Sequence, residues 1–430
     1  MLTSRVRNLG FWTSDLLQGA PIRKHCQDIE ARLAGSGPST DLLDGLLHYA
    51  VEHSPFYAPF RGFASLQDFP VITKASIKDG YEAFQSKAFA GQRLHVMRTS
   101  GSTGTPFAVR QDPDKRRRVL AEMICFGKRA GYEVGDRYIF TRSWSTINRK
   151  RWHVALRENA IMFDISSLDD ARLESLRTLL RKDRGIRCML GYPSTFGPLL
   201  QHLERAGDGP DAFRLRAIIS ISERLPREMR EDLRARFGCT VVARYSNQEN
   251  GVLAQQCPGG EEFHLNTASY AFEYLRLDSD APAAPGELAR VVITDLFNRA
   301  MPMIRYDTGD VAVRQTSARC GWATDTLSEL DGRRQDFIRD TQDRLLSPAV
   351  VSTHFWRFTG LKQFQFIQEA KAQYRIILNG ADPQYTDADF VAMARRFLGP
   401  EAAITIEHVE EIPLLASGKH MPVVNRYRPA

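Results

Sequence analysis

Residues 98–107 read RTSGSTGTPF, in which Ser100, Ser102, Thr103 and Thr105 are interleaved with Gly101 and Gly104. Glycine lets a backbone come close to a ligand or take positive φ, and the hydroxyls add donors to the exposed amides, so the stretch suits an anion such as a phosphate. A solvated turn has the same composition. A Walker A loop needs a lysine and Ser/Thr directly after its last glycine, whereas Gly104 is followed by Thr105 and Pro106, and a P-loop NTPase is disfavoured. Gly101 and Gly104 supply only part of a G-x-G-x-x-G fingerprint, which disfavours a nicotinamide site. Positive charge for a phosphate has to come from elsewhere in the chain.

Four further stretches carry polar residues suited to that search: YSNQENG (245–251), RYDTGD (305–310), GRRQD (332–336) and SGKH (417–420). Each has an ordinary reading of its own. Tyr245 could be a strand-end core aromatic, Glu249 a solvated acid, D-T-G-D a hairpin turn and Lys419 a solvated near-terminal cation. Taken together and in this order, they resemble the adenylate-forming superfamily of acyl-CoA synthetases, peptide adenylation domains and luciferases. LGYPSTF (190–196) and the short carboxyl-terminal region resemble its phenylacetate-CoA ligase branch and CapK-type relatives.

That resemblance implies ATP, Mg2+ and, as acceptor, coenzyme A. It assigns Ser100, Ser102, Thr103 and Thr105 to the β- and γ-phosphates of ATP and Tyr245 to the adenine, with Gly101, Gly104 and Ser246 as further ATP-binding residues. Glu249 would hold Mg2+, which lowers the charge repulsion a carboxylate meets at the α-phosphate. Asp310 would accept the ribose hydroxyls, with Thr308 beside the phosphate and Arg333 as a second ribose contact. SISERLP (220–226) corresponds to the adenine loop, making Ser222 and Glu223 nucleotide-pocket residues. Lys419, a compact charge behind the small Gly418, would be the catalytic cation between the acid and the α-phosphate. The acyl pocket would lie between LGYPSTF and FTRSWSTINRKRW (140–152), lined by Ser143, Trp144 and Tyr192, and aromatic liners suit a planar or aromatic acid.

Two positions depart from the family pattern. The hinge position two residues after Arg333 is Gln335 where Asp or Lys is usual. Cys257, His264 and Cys320 stand where some relatives carry zinc ligands, but Ala318 occupies the place of a fourth; three ligands argue against a structural zinc, and none is expected. The rival readings are an amide or ester synthetase with an amine or hydroxyl acceptor, a non-catalytic nucleotide-binding homologue, and a nucleic-acid-binding protein. The last is disfavoured, because 58 basic against 51 acidic residues give a net +7 that is spread along the chain, and no nucleic-acid motif accompanies it. DKRRRV (114–119) and NRKRW (148–152) are basic runs that could line an anion's path or simply be solvated.

The elements that must position these residues follow from the rest of the sequence. With 43% hydrophobic and 25% charged residues over 430 positions, the chain can bury cores for two or three domains. No run of about 18 uncharged apolar residues suggests a membrane span, and the start lacks a signal-peptide core. Six cysteines without paired spacing fit reduced thiols, so a cytoplasmic protein acting on small molecules is expected, its oligomeric state open. Residues 169–183 and 226–238 carry helical periodicity, the second opened by Pro226 and closed by Gly238, while 188–192, 215–222 and 240–246 read as strands. Strand and helix in alternation predict an α/β fold with a largely parallel sheet, and 286–297 is a further β-rich run. Beyond Gly332 the texture changes: 362–379 reads as two strands, 386–399 as a helix capped by Thr386 or Asp387, and 402–412 as a final strand. The expected organisation is a large α/β domain, 1–332, that binds ATP and acid, and a small mobile α+β domain, 333–430, that carries Lys419.

Overall fold

The computed structural model describes residues 3–35, 40–99, 107–144, 149–166, 168–315, 325–333, 337–346, 348–355, 358, 361–380, 384–413 and 421–427. Three helices open the chain, α1 (Ser4–Leu17), α2 (Pro21–Ala34) and α3 (Thr40–His53), followed by the short α4 (Lys74–Asp79). α2 buries Cys26, Ile29 and Leu33 at helical spacing. A two-stranded hairpin follows, β1 (His95–Thr99) and β2 (Phe107–Gln111), antiparallel with Thr99 opposite Phe107. It brackets in sequence the stretch 100–106, which lies outside the described residues. Asp112 then caps α5 (Pro113–Arg129) by accepting from the amides of Asp114 and Lys115.

From there strand and helix alternate: β3 (Arg137–Arg142), α6 (Trp152–Arg157), β4 (Ala160–Asp164), α7 (Asp170–Lys182), β5 (Ile186–Gly191), α8 (Pro193–Arg205), β6 (Ala217–Ile221), α9 (Arg227–Phe237) and β7 (Thr240–Asn247). These strands form the parallel order β4-β3-β5-β6-β7. Four of the five residues of β6 are buried, as expected of a strand covered on both faces. Pro226 caps α9, and Gly238 ends it at φ +60, where a left-handed residue closes the last turn.

The expectation of a largely parallel sheet needs correction. After β7 come β8 (Gly251–Gln256), β9 (Phe263–Leu265), β10 (Tyr270–Leu275), β11 (Leu288–Asp295), β12 (Tyr306–Gln315) and β13 (Thr326–Arg333). All of them join antiparallel, completing among the described residues an eleven-stranded order β10-β11-β12-β13-β9-β8-β7-β6-β5-β3-β4. The reason is the connections: a parallel neighbour needs a crossover of a dozen or more residues, usually a helix, and β7 returns as β8 through a tight turn. One core cluster runs through this sheet from Leu46 to Leu327.

A second cluster gathers Ile338, Val351, Phe355, Phe366, Ile376, Phe390 and Val423 among its members. It belongs to β14 (Ile338–Arg339), β15 (Leu345–Leu346), α10 (Pro348–Phe355), β16 (Leu361–Ala370), β17 (Gln373–Gly380), α11 (Asp387–Leu398), β18 (Ala403–Val409) and β19 (Val423–Asn425). Thr386 caps α11 in a reciprocal box with Asp389. The strand at 402–412 is not the last: β19 follows and adds parallel to β16 in the order β18-β17-β16-β19. No helix among the described residues is long and apolar enough to cross a membrane.

Candidate active site

The parallel half of the sheet ends its strands on one edge, and the predicted residues stand along it. Ser143 and Trp144 follow β3, Tyr192 follows β5, Ser222 and Glu223 follow β6, and Tyr245 and Ser246 close β7 before the turn that holds Glu249. Groups just past the carboxyl ends of parallel strands are where an open α/β sheet binds ligands.

Hydrogen bonds tie these positions together. The Glu223 carboxylate accepts from the Ser194 amide at 2.9 Å and its hydroxyl at 3.0 Å, so the 220–226 loop is fastened to the first turn of α8, where exposed N–H groups favour an anion. Ser222 sits at φ +67, a left-handed backbone that reverses the chain after β6. Tyr192 is buried, and that burial pushes its phenol above the usual range while Arg142 opposes the shift. The Trp144 indole donates to the Phe140 carbonyl at 3.3 Å, its amide to Asp164 at 3.2 Å, and the Ser143 hydroxyl lies 2.9 Å from that of Ser166.

Across the seam, RYDTGD is not a hairpin turn. It lies at the start of β12, and the register against β11 jumps there: Arg290 faces Val311, but Val292 faces Asp307. The extra residues, centred on Gly309 at φ +79, bulge out of the ladder. Asp307 holds the bulge, accepting from the Gly309 amide at 2.8 Å and from Arg290 at 2.8 Å. The result brings Asp310 Oδ2 within 2.8 Å and Thr308 Oγ1 within 3.2 Å of the Tyr245 hydroxyl. Burial first, then Asp310, raises the Tyr245 phenol well above its ordinary range; it stays protonated and donates. Asp310 and Arg333, the two expected ribose contacts, are backbone partners across β12 and β13.

Glu249 is buried at the turn between β7 and β8. Its Oε1 lies 3.0 Å from Lys74 Nζ and accepts from the Tyr306 hydroxyl at 2.8 Å; burial and Glu249 together hold that phenol well above its usual range. Lys74 and Tyr306 are absent from the sequence-based site. Tyr306 stood inside RYDTGD and could have been read there. Lys74 carries no signal in type or spacing; it arrives because Ile72 bridges to β12, donating to the Arg305 carbonyl at 2.9 Å and accepting from the Asp307 amide at 2.8 Å. The Glu249 carboxylate is the hard oxygen donor that Mg2+ takes, its other positions going to water and phosphate, and the Lys74 ammonium now at 3.0 Å is the cation that Mg2+ would displace or share.

Ser100, Gly101, Ser102, Thr103, Gly104, Thr105, Gln335, Cys320 and Lys419 lie outside the described residues. Cys257 and His264 are buried, and burial, followed by Arg129, pushes His264 down to about 4. Among the described residues no three His, Cys, Asp or Glu side chains cluster as a metal site.

Comparison with known proteins matches residues 339–426 to the CapK C-terminal domain family. The phenylacetate-coenzyme A ligase of Escherichia coli K12 is 24% identical over 320 residues, 70% of this chain and 71% of that one. The corresponding ligase of Thermus thermophilus is 23% identical, over 69% of each chain. Among solved structures, a 2-hydroxyisobutyryl-CoA ligase in its postadenylation state, bound to R3-HIB-AMP, superposes with a TM-score of 0.71 at 16% identity, covering 91% of both chains.

Proposed function

We propose, from the premise that the chain belongs to the adenylate-forming superfamily in its phenylacetate-CoA ligase branch, that it activates a carboxylic acid with ATP and passes the acyl group to coenzyme A. In the first step a carboxylate oxygen attacks the α-phosphorus, the bond from that phosphorus to the bridging oxygen breaks, and pyrophosphate leaves. In the second the thiol sulfur attacks the acyl carbonyl, its proton passes to solvent, and AMP departs with the electron pair of the acyl–oxygen bond.

The observation that carries this reading is the seam, where Tyr245, Thr308, Asp310 and Glu249 converge from β7, its following turn and β12. A buried carboxylate, a second carboxylate able to accept from ribose hydroxyls and an aromatic ring would suit a nucleotide and its cation. Glu249 would hold Mg2+, which when bound supplies charge neutralisation at the phosphates. Asp310 and Arg333 would take the ribose, Ser222, Glu223 and Ser246 the base side, and the hydroxyls of 100–105 the phosphates. Lys419, on a mobile 333–430 domain that turns against 1–332, would neutralise charge as the acyl-adenylate forms. Ser143, Trp144 and Tyr192 would line the acyl pocket, whose aromatic members suit a planar or aromatic acid.

A second reading replaces the thiol with an amine or hydroxyl acceptor, as the resemblance to CapK-type relatives implies. A screen of carboxylic acids for acid-dependent pyrophosphate release, run with and without coenzyme A, tests both. Release that turns over only with coenzyme A supports the ligase. Turnover only with an amine or alcohol supports the second acceptor, and no release with any acid while ATP still binds would leave a non-catalytic homologue.

A further inference from the structure

The turn that carries Glu249 is held from behind by three side chains, each on a different main-chain group. Gln111, at the end of β2, donates to the Glu249 carbonyl at 2.8 Å. The Tyr270 hydroxyl donates to the Asn250 carbonyl at 2.9 Å. Glu122, on α5, accepts from the Val252 amide at 3.0 Å. Behind them stands a charge cluster with no exposed member: Lys115 pairs with Asp295 at 2.7 Å and donates to the Tyr270 oxygen at 3.2 Å, which itself lies 3.1 Å from Glu122 Oε1. Lys115, Glu122 and Asp295 are all fully buried.

Two features mark this as more than packing. A phenol has one proton, and with Lys115 donating to its oxygen that proton is left for the Asn250 carbonyl at 2.9 Å and the Glu122 carboxylate at 3.1 and 3.2 Å, so the hydroxyl ties the turn to the buried charge cluster. Burial, then Glu122, raises Tyr270 well above its ordinary range, so the proton is retained. The second is Gly251, at φ +138: a Cβ there would stand 2.4 Å from Glu122 Oε2 and 2.8 Å from the Tyr270 oxygen. The glycine that ends YSNQENG is therefore required by the clamp, which reaches the backbone only because no side chain intervenes. Apolar residues would fill the same space without the desolvation that a buried ammonium and two carboxylates impose.

We propose that Tyr270 is a positioning residue which, supported by Lys115 and Glu122, fixes the turn so that the Glu249 carboxylate is presented to the metal in one orientation. This rests on the reading of Glu249 as the Mg2+ ligand. Outer groups of this kind typically change metal affinity 10- to 100-fold when removed.

The test uses the full chain and Tyr270→Phe, which removes the hydroxyl and keeps the ring. Mn2+ binding is followed by electron paramagnetic resonance in the presence of α,β-methylene-ATP, which cannot be cleaved at the α–β bridge. Tyr270→Phe should weaken Mn2+ about 10-fold, raise the KM for Mg2+ in pyrophosphate release by a similar factor, and change kcat at saturating Mg2+ far less. Hydrogen exchange without nucleotide should accelerate in residues 247–252 and not elsewhere. Glu122→Gln, which keeps an acceptor for the Val252 amide, should retain most Mn2+ affinity, whereas Glu122→Ala should lose it. A lowered melting temperature with unchanged Mn2+ affinity would reduce Tyr270 to packing and overturn the proposal. Should the variants not fold, wild-type exchange decides: a Val252 amide exchanging as fast as exposed turn amides refutes the clamp, and core-like protection upholds it. Glu249→Gln run alongside separates the two levels. If it leaves Mn2+ affinity unchanged, the metal reading and the proposal fall together; if it weakens Mn2+ and Tyr270→Phe does not, the proposal alone falls.

Discussion

In the parallel half of the large sheet, the candidate residues follow their strands: Trp144 after β3, Tyr192 after β5, Ser222 and Glu223 after β6. In the antiparallel half, Thr308 and Asp310 stand inside β12 and reach the site only through the bulge around Gly309. A parallel strand delivers polar groups at its end, where the backbone has already left the ladder, so its buried middle can stay apolar. An antiparallel strand buried in the same sheet has to break its own register to turn polar groups out, and other residues must hold the break. Here Asp307 and Arg290 do so. The candidate site is thus built from loops in one half and from a strand deformation in the other, and the two meet at Glu249 and Tyr245.

If the meeting point matters more than either half, the largest loss should come from Glu249→Gln. The amide keeps the volume but gives up the charge that Lys74 faces at 3.0 Å and that a magnesium ion would need. Acid-dependent pyrophosphate release at low Mg2+ should fall about 10²-fold or more, and added Mg2+ should recover part of it. Full activity at low Mg2+ would move the metal elsewhere and leave the seam without its central role.

A smaller effect is expected within the antiparallel half. Asp310→Ala removes a charged acceptor from the bulge, worth roughly 1.5 to 3 kcal/mol per hydrogen bond, so ATP affinity should fall about 10- to 150-fold by calorimetric titration. Unchanged affinity would show that the bulge serves the sheet and not the ribose.

The same contrast explains what could be read in advance. The parallel half announced itself through helical leucines in 169–183, a proline-to-glycine helix at 226–238 and apolar strands, all of them local patterns. The antiparallel half left only the β-rich run at 286–297, because its strands follow one another through turns with no helix between them, and buried polar residues such as Gln255 and Gln256 of β8 interrupt the apolar pattern. Within the site, the motifs supplied Tyr245, Glu249 and Asp310, yet not their connections. Lys74 meets Glu249 through one bridge between Ile72 and Tyr306, and Tyr270 reaches the Asn250 carbonyl from another strand. Such contacts are created by the fold, and no window of neighbouring residues contains them. The small carboxyl-terminal sheet showed most of its elements in sequence, but not β19, a three-residue strand too short for any period to show.

The smallest predicted effect is the sharpest probe of how the halves communicate. Tyr245→Phe removes the hydroxyl that donates from β7 to Asp310 on β12, leaving the ring in place. A hydrogen bond to a carboxylate is worth roughly 1.5 to 3 kcal/mol, and with only about a third to a half of that passed on to the nucleotide through the orientation of Asp310, ATP affinity should fall about 2- to 12-fold. The size alone would not separate a direct contact with nucleotide from an effect passed through Asp310, and a double-mutant cycle does. If the hydroxyl works by orienting the Asp310 carboxylate, then Tyr245→Phe in the Asp310→Ala background should cost almost nothing further, because the group it orients is gone. Additive losses in the double variant would mean that each half binds the nucleotide by itself and that the bond across the seam only holds the sheet together.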